Sequence, residues 1–284
     1  MAVDRSALGA FLRARRDRLT PAQAGITAFP GARRVPGLRK EELAVLAGLS
    51  PDHYSRLEQG RQHTVTNEVL EALSRALQLD DIERAHLRDL AAPSSKRRWA
   101  AREIRQRPEP GMLRLLTALD HLPVLLLGRR SDVLARNGLL TEVLGAPMLP
   151  GSSFVRWLFL DPDARVRITN WTDFAAASVG ALRYESGQHP DDHQMARLTT
   201  ELRSSDEDVA RWWDDQRVTF RTSVTKHIDH PTAGPLQFGI ESVVGPLDPD
   251  QRLVVYTVEP GSPTASTLPM MASWSGPTEP VATL

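Results

Sequence analysis

Between residues 38 and 61 the chain gathers side chains suited to reading a nucleic acid. Arg39 and Lys40 open one short apolar-periodic segment, Asp52, His53 and Arg56 recur within a turn of a second, and Arg61 follows it. Arginine presents paired donors to O6 and N7 of guanine, worth ~1–3 kcal/mol of discrimination, and a carboxylate accepts from cytosine N4. Basic groups at a helix start suit a phosphate, which the helix dipole also favours. An Asp and an Arg four residues apart can also pair with each other. Asp52 and Arg56 therefore have two readings, base contact or surface salt bridge, and Asp52 can also serve to orient a neighbouring arginine.

The elements that must hold these groups are written locally. Ser50-Pro51 supplies an N-cap and a first-turn proline for a helix running to about Gln59 and ending at Gly60. The preceding helix covers about Arg39–Leu46 and stops at Gly48. Ala44, Gly48, Leu49 and Leu57 are the small residue, the turn glycine and the apolar anchors that a helix-turn-helix needs. With Leu49 and Leu57 inward, Asp52, His53 and Arg56 are left outward, and Tyr54 reads as core. A first helix carries Leu8, Phe11, Leu12 and Leu19. Thr66 caps a fourth with Val69, Leu70, Leu73 and Leu77, and Asp80 with Glu83 forms a capping box for a fifth with Leu87 and Leu90. Thr20–Gly37 is rich in Pro and Gly. Its Arg33 and Arg34 belong either to a solvated loop or to a basic arm that tracks phosphates or enters the minor groove.

The stretches Glu41-Glu42-Leu43-Ala44, Ala47-Gly48-Leu49-Ser50 and Ser55-Arg56-Leu57-Glu58 resemble the XRE (Cro/cI-type) DNA-binding domain over about Leu8–Leu90. The resemblance implies an all-α, lambda-repressor-like fold whose Ser50–Gln59 helix enters the major groove. Ser50, Asp52, His53 and Arg56 would lie at the bases, and Arg39, Lys40 and Arg61 along the backbone, joined by Arg33 and Arg34 if their loop is the basic arm. One such module makes a small interface, so a homodimer on a palindromic operator of double-stranded DNA is expected.

Composition sets the frame. The 284 residues suffice for roughly two domains. Zero net charge conceals an asymmetry: residues 1–107 hold 20 Lys+Arg against 13 Asp+Glu, and the remainder 15 against 22. A basic half joined to an acidic half hints at a nucleic-acid partner for the first. The absence of cysteine excludes disulfides, thiolate zinc sites and Cys nucleophiles. The longest apolar run, Leu122–Leu127, falls far short of the ~20 residues of a membrane span. No signal core follows the charged N-terminal helix, so the cytoplasm is the expected compartment and no membrane partner is expected. The expected domains are 1–92 (DNA-binding), 93–110 (a basic, Pro-containing linker), 111–263, and a poorly ordered Pro/Ser/Thr-rich tail over 264–284.

The second half mixes element types. A helix over Met112–Leu119 precedes strands at Pro123–Leu127 and Asp132–Ala135. Helices follow over Asp161–Leu182, Asp192–Leu202 and Asp206–Asp215, then strands at Arg217–His227, Leu236–Val244 and Arg252–Val258. The stretches 126–135 (LLGRRSDVLA), Leu158–Pro162, His189–Asp192 and 252–262 (RLVVYTVEPGS) resemble the MmyB-type regulator ligand-binding domain. Arg33–Glu42 and Arg56–Arg61 match the same subfamily. This resemblance implies an α+β PAS-like domain, a central antiparallel sheet with helices against it, whose apolar cavity takes a fatty-acid-like ligand. Trp157, Trp171 and Phe174 are candidate wall residues, or simply core. Arg136, Asn137 and Arg183 are candidate anchors for a carboxylate. Arg136 replaces a common Trp, and Gln216 stands where His is common.

His189, Asp191, Asp192 and His193 do not make a metal site, because an Asp-capped helix accounts for the carboxylates without one. No GxSxG, Walker or GxGxxG pattern is present, and neither an enzyme nor a cofactor is expected. The competing reading makes the second half a dimerisation or protein-interaction module with a filled core.

Overall fold

The computed structural model describes residues 5–31, 35–61, 65–92, 106–218 and 224–274. Its contacts divide the chain into two units. One comprises residues 1–102 with 183–197 and 211–220, and the other comprises 103–182, 198–210 and 221–284. Arg33, Arg34 and residues 93–105 of the linker expected over 93–110 lie outside the described residues.

The first unit holds α1 (Arg5–Arg18), α2 (Lys40–Leu46), α3 (Pro51–Glu58), α4 (Asn67–Ala76) and α5 (Asp81–Ala91). Their apolar faces converge on Phe11, Leu12, Leu43, Tyr54, Leu57 and Leu87, and Val218 from the later segment joins that core. The caps form as the sequence implies. Ser50 Oγ accepts from His53 N at 3.1 Å, and Asp80 and Glu83 form the reciprocal box of α5. Gly48 turns the chain between α2 and α3 at φ +66°, a conformation that favours glycine. Gly9 has a different role: a Cβ there would lie 2.1 Å from the Glu58 carbonyl oxygen, so it lets α1 cross directly against α3.

The second unit is built on β1 (Val124–Leu127), β2 (Val133–Arg136), β3 (Val224–His230), β4 (Gly234–Val244) and β5 (Arg252–Thr257). They form one antiparallel sheet in the order β2-β1-β5-β4-β3. Alternation gives the sheet two apolar faces. Val124, Leu126, Leu253 and Val255 pack with Met112 and Leu116 of α6 (Pro110–Ala118). Leu125, Leu127, Val254 and Tyr256 face the other way. The unit's further helices are α7 (Gly138–Leu144), α8 (Phe154–Leu160), α9 (Pro162–Arg167) and α13 (Pro263–Trp274), while α10 (Trp171–Gln188), α11 (His193–Ser205) and α12 (Glu207–Asp214) each have residues in both units.

Three features depart from the sequence reading. The single helix expected over Asp161–Leu182 is broken at Ile168–Asn170, because β3 takes over that backbone. Thr169 N donates to His227 O, and Asn170 bonds Thr225 O and His227 N, each near 2.9–3.0 Å. Helices α7 and α8, capped by Asn137 and Ser153, were not anticipated. The tail expected to lack order from 264 is instead helical to Trp274. Ser262 Oγ accepts from Ala265 N, and Leu268 and Met271, three residues apart, are both buried. The hydroxyls that gave this segment its disordered composition bond back along the helix, Thr267 to Pro263 O and Ser266 to Ser262 O.

Candidate functional site

Helix α3 has one side committed to the core and one side exposed. Tyr54, Leu57 and Glu58 are buried, while Asp52 and Arg56 are exposed and His53 is half-buried. Arg56 Nη2 lies 2.9 Å from Asp52 Oδ2, the i,i+4 pair anticipated as the bland alternative. An exposed pair of this kind is worth only ~0.3–0.5 kcal/mol. It orients the guanidinium without preventing a bidentate contact to guanine, a contact with more to offer. Ser50 is engaged as the cap, and Arg61 is exposed just past the turn at Gly60.

The two cations expected at the start of α2 are drawn into structural contacts. Arg39 donates to the carbonyls of Pro30 and Gly31 at 3.0 and 2.7 Å. Buried Glu42 accepts from the amides of Phe29 and Arg39, tying the preceding connection to α2. Lys40 Nζ is 3.5 Å from the Glu58 carboxylate.

Glu58 is the hub of this arrangement. Its side chain is 1% exposed, and its oxygens meet Arg16 Nε at 3.0 Å and Arg13 Nε at 3.2 Å. Arg16 reaches on to Leu38 O at 2.7 Å. Burial alone would raise the Glu58 pKa. The Arg16 hydrogen bonds and charge, with Tyr54 and Lys40, overcome that and hold it below the usual carboxylate value. The side of α3 opposite its exposed face is thus clamped to α1. Sequence reasoning used Glu58 only as a motif letter; its partner Arg16 is 42 residues away, so no local pattern could reveal the pair.

In the second unit a small apolar cavity, about 20 Å³, lies beneath the sheet. Leu125 and Leu127 of β1, Val254 and Tyr256 of β5, and Phe174 and Ser178 of α10 contribute to its wall. Of the candidate ligand residues, Phe174 is brought to this wall and the others are placed elsewhere. Trp157 meets Phe154 at a tilt of 46° with centroids 5.6 Å apart, and Trp171 Nε1 donates to Leu158 O at 2.9 Å. Asn137 caps α7 and bonds the backbone of Leu122 and Val124. Arg136 donates to Pro147 O from the edge strand. Arg183 belongs to the first unit, where its guanidinium lies 4.2 Å from the Trp213 ring centroid and bonds Gln216.

A residue the sequence reading missed is Lys226, fully buried on β3. The signal was present: Val224, Lys226 and Ile228 alternate along the strand, which places the lysine on the apolar face.

Asp192 accepts from the amides of Gln194 and Met195 as the cap of α11. Among the described residues, no group of three or more His, Asp or Glu could hold a metal ion, and no helix is long and apolar enough to cross a membrane. Two family models match the chain. One, described as a helix-turn-helix domain, covers residues 7–87. The other, described as the MmyB-like transcription regulator ligand binding domain, covers residues 108–270. No curated protein matches it.

Proposed function

The chain belongs to the MmyB-like transcription regulators, and on that premise we propose that it binds a palindromic operator as a homodimer and answers to a lipophilic, fatty-acid-like ligand. Its domains are those of a DNA-binding transcription regulator. The observation that carries the DNA-reading face is the division of α3. Tyr54, Leu57 and Glu58 fix one side, and the exposed Asp52–Arg56 pair with His53 occupies the other. Arg56 then reads a guanine, Asp52 steers it, and Arg61 with the basic residues ahead of α3 supports the phosphates. We assign DNA binding to residues 1–92, a basic connection to 93–110 and ligand response to 111–263. The central antiparallel sheet with helices against it supports a PAS-like reading of that last part.

Selection of bound duplexes from a random library tests the reading. The wild-type chain should enrich an inverted repeat, and Arg56→Ala should lose about tenfold in affinity, with relaxed preference at one position per half-site. Unchanged selection by the variant would remove α3 as the reader.

The small size of the cavity favours a second reading, in which residues 111–263 serve only dimerisation or protein contact. Lipid extraction of the purified chain separates the two: a retained lipophile supports sensing, and a chain that neither carries nor takes up any supports the second.

A further inference from the structure

Residues 183–197 and 211–220 fold with the first unit, although both lie within the stretch 108–270 that matches the ligand-binding family rather than the helix-turn-helix domain. They dock on α1 and α5. Val218 is buried in the core of that unit, and Tyr184 packs against the same core. The His86 ring of α5 lies edge-on to Phe11 of α1, with centroids 5.2 Å apart, and meets the Tyr184 ring at 6.1 Å. Gly187 admits that imidazole: a Cβ there would stand 2.5 Å from His86 Cε1. On α1, Arg15 donates to Gln216 O at 2.9 Å while pairing with Glu83 of α5 at 2.6 Å. Arg18 bonds both the carboxylate and the carbonyl oxygen of Asp215. Gln216 has φ +55°, a left-handed backbone that a non-glycine residue keeps where its surroundings over-determine it. Here Arg15 and Arg183 bond its two oxygens.

The same helix α1 carries a second set of arginines. Arg13 and Arg16 hold Glu58 of α3 at 3.2 and 3.0 Å. At 3.6 residues per turn, positions 13 and 16 fall on one side of α1, and positions 15 and 18 on the other. Helix α1 is therefore fastened to α3 along one side and to residues 215 and 216 along the opposite side. We propose that α1 is a relay: docking of residues 183–188 and 213–218 keeps α1 seated on α3, and their undocking loosens α3 and weakens operator binding. A close-packed interior transmits strain rather than absorbing it, so a shift imposed on one side of a helix reaches its other side. The proposal rests on α3 as the DNA-reading face and names the segments of the chain that govern that face.

Two full-length variants test it. Gly187→Ala drives a methyl group against the His86 ring, adds no charge and improves the helix propensity of α10. Asp215→Arg sets a cation against Arg18 and Arg217 at a half-exposed position, and by charge alone it would tighten binding to DNA. Hydrogen exchange should show residues 54–58 of α3 opening at least tenfold faster in both variants, with α4 unchanged. Affinity for the duplex enriched by the wild-type chain should fall about tenfold for Gly187→Ala and several-fold for Asp215→Arg, with base preference retained. Asp215→Arg, at the surface, keeps the test open if Gly187→Ala does not fold. Unchanged exchange in α3, equal acceleration of α3 and α4, or operator affinity that holds or rises overturns the relay. Faster exchange confined to α3, in variants of a chain whose wild type enriches no duplex, removes α3 as the reader and leaves the link from docking to α3 standing.

Discussion

Each unit of this chain buries a charge on the element that carries its candidate site, and the two charges are held by different means. Glu58, on α3, is surrounded by Arg16, Arg13 and Lys40 at 3.0–3.5 Å. Lys226, on β3, has among its neighbours four aromatic rings and the Tyr256 hydroxyl. Opposite charges in fixed hydrogen-bonding geometry define where a backbone must sit, because removing one partner strands the other. Ring faces attract a cation with little angular demand, so they fix its position less sharply than an ion pair does. The first arrangement ties α3 to α1, and the second seats a cation in the apolar face of the sheet.

The comparison can be broken from either side. The largest effect is expected from Glu58→Gln, which leaves Arg16 buried against a neutral amide. Chemical denaturation should show a loss of about 3–5 kcal/mol, with operator binding lost as α3 comes away from α1. A loss below about 1 kcal/mol would mean that the ionic cluster does not clamp the helix.

Acidification is expected to come next. His86 is 2% exposed and stands edge-on to Phe11. Burial, with the charges of Arg183 and Arg15, pushes its pKa down to about 3. The folded state therefore favours the neutral ring, and its contribution is complete above the unfolded value near 6.5 and is lost progressively as pH falls toward 3. Glu58, also held below its ordinary value, adds a second loss only below the unfolded carboxylate value, ~4.3. Stability of the first unit should thus decline by a few kcal/mol between pH 6.5 and 4, and His86→Leu should flatten that slope. A wild-type profile already flat over this range would show that the imidazole is not desolvated.

Arg56→Ala should leave stability within about 0.5 kcal/mol, since its partner Asp52 is exposed, while costing ~1–3 kcal/mol in operator discrimination. Equal losses in stability and recognition would make it a structural residue. The smallest effect is expected from Lys226→Met. The thioether keeps its packing among the rings, so unfolding free energy should stay within about 1 kcal/mol of wild type. A loss as large as that of Glu58→Gln would erase the distinction between the two buried charges.

What could be read in advance follows the range of the interactions. The turn at Gly48, the caps at Ser50, Thr66 and Asp80, and the outward set Asp52, His53 and Arg56 are all decided within four residues of themselves. The break at Ile168–Asn170 was missed because the groups that compete for that backbone lie on β3, nearly 60 residues later. Of the aromatic candidates, Phe174 reached the cavity wall, while Trp171 turned its indole to the Leu158 carbonyl. Apolar periodicity gives a side to a residue and cannot say which neighbour occupies that side.

The order of residues alone determined the helix-turn-helix, the basic and acidic halves, the alternating strands and the outward face of α3, because caps, turns and periodicity depend on steric and hydrogen-bonding preferences of adjacent residues. Only the folded chain decided that Glu58 would meet Arg16, that Gly9 would let α1 touch α3, and that Lys226 would come to rest against Tyr256. Those pairings join positions 30 to 49 residues apart, and desolvation gives them their strength once packing has brought them together.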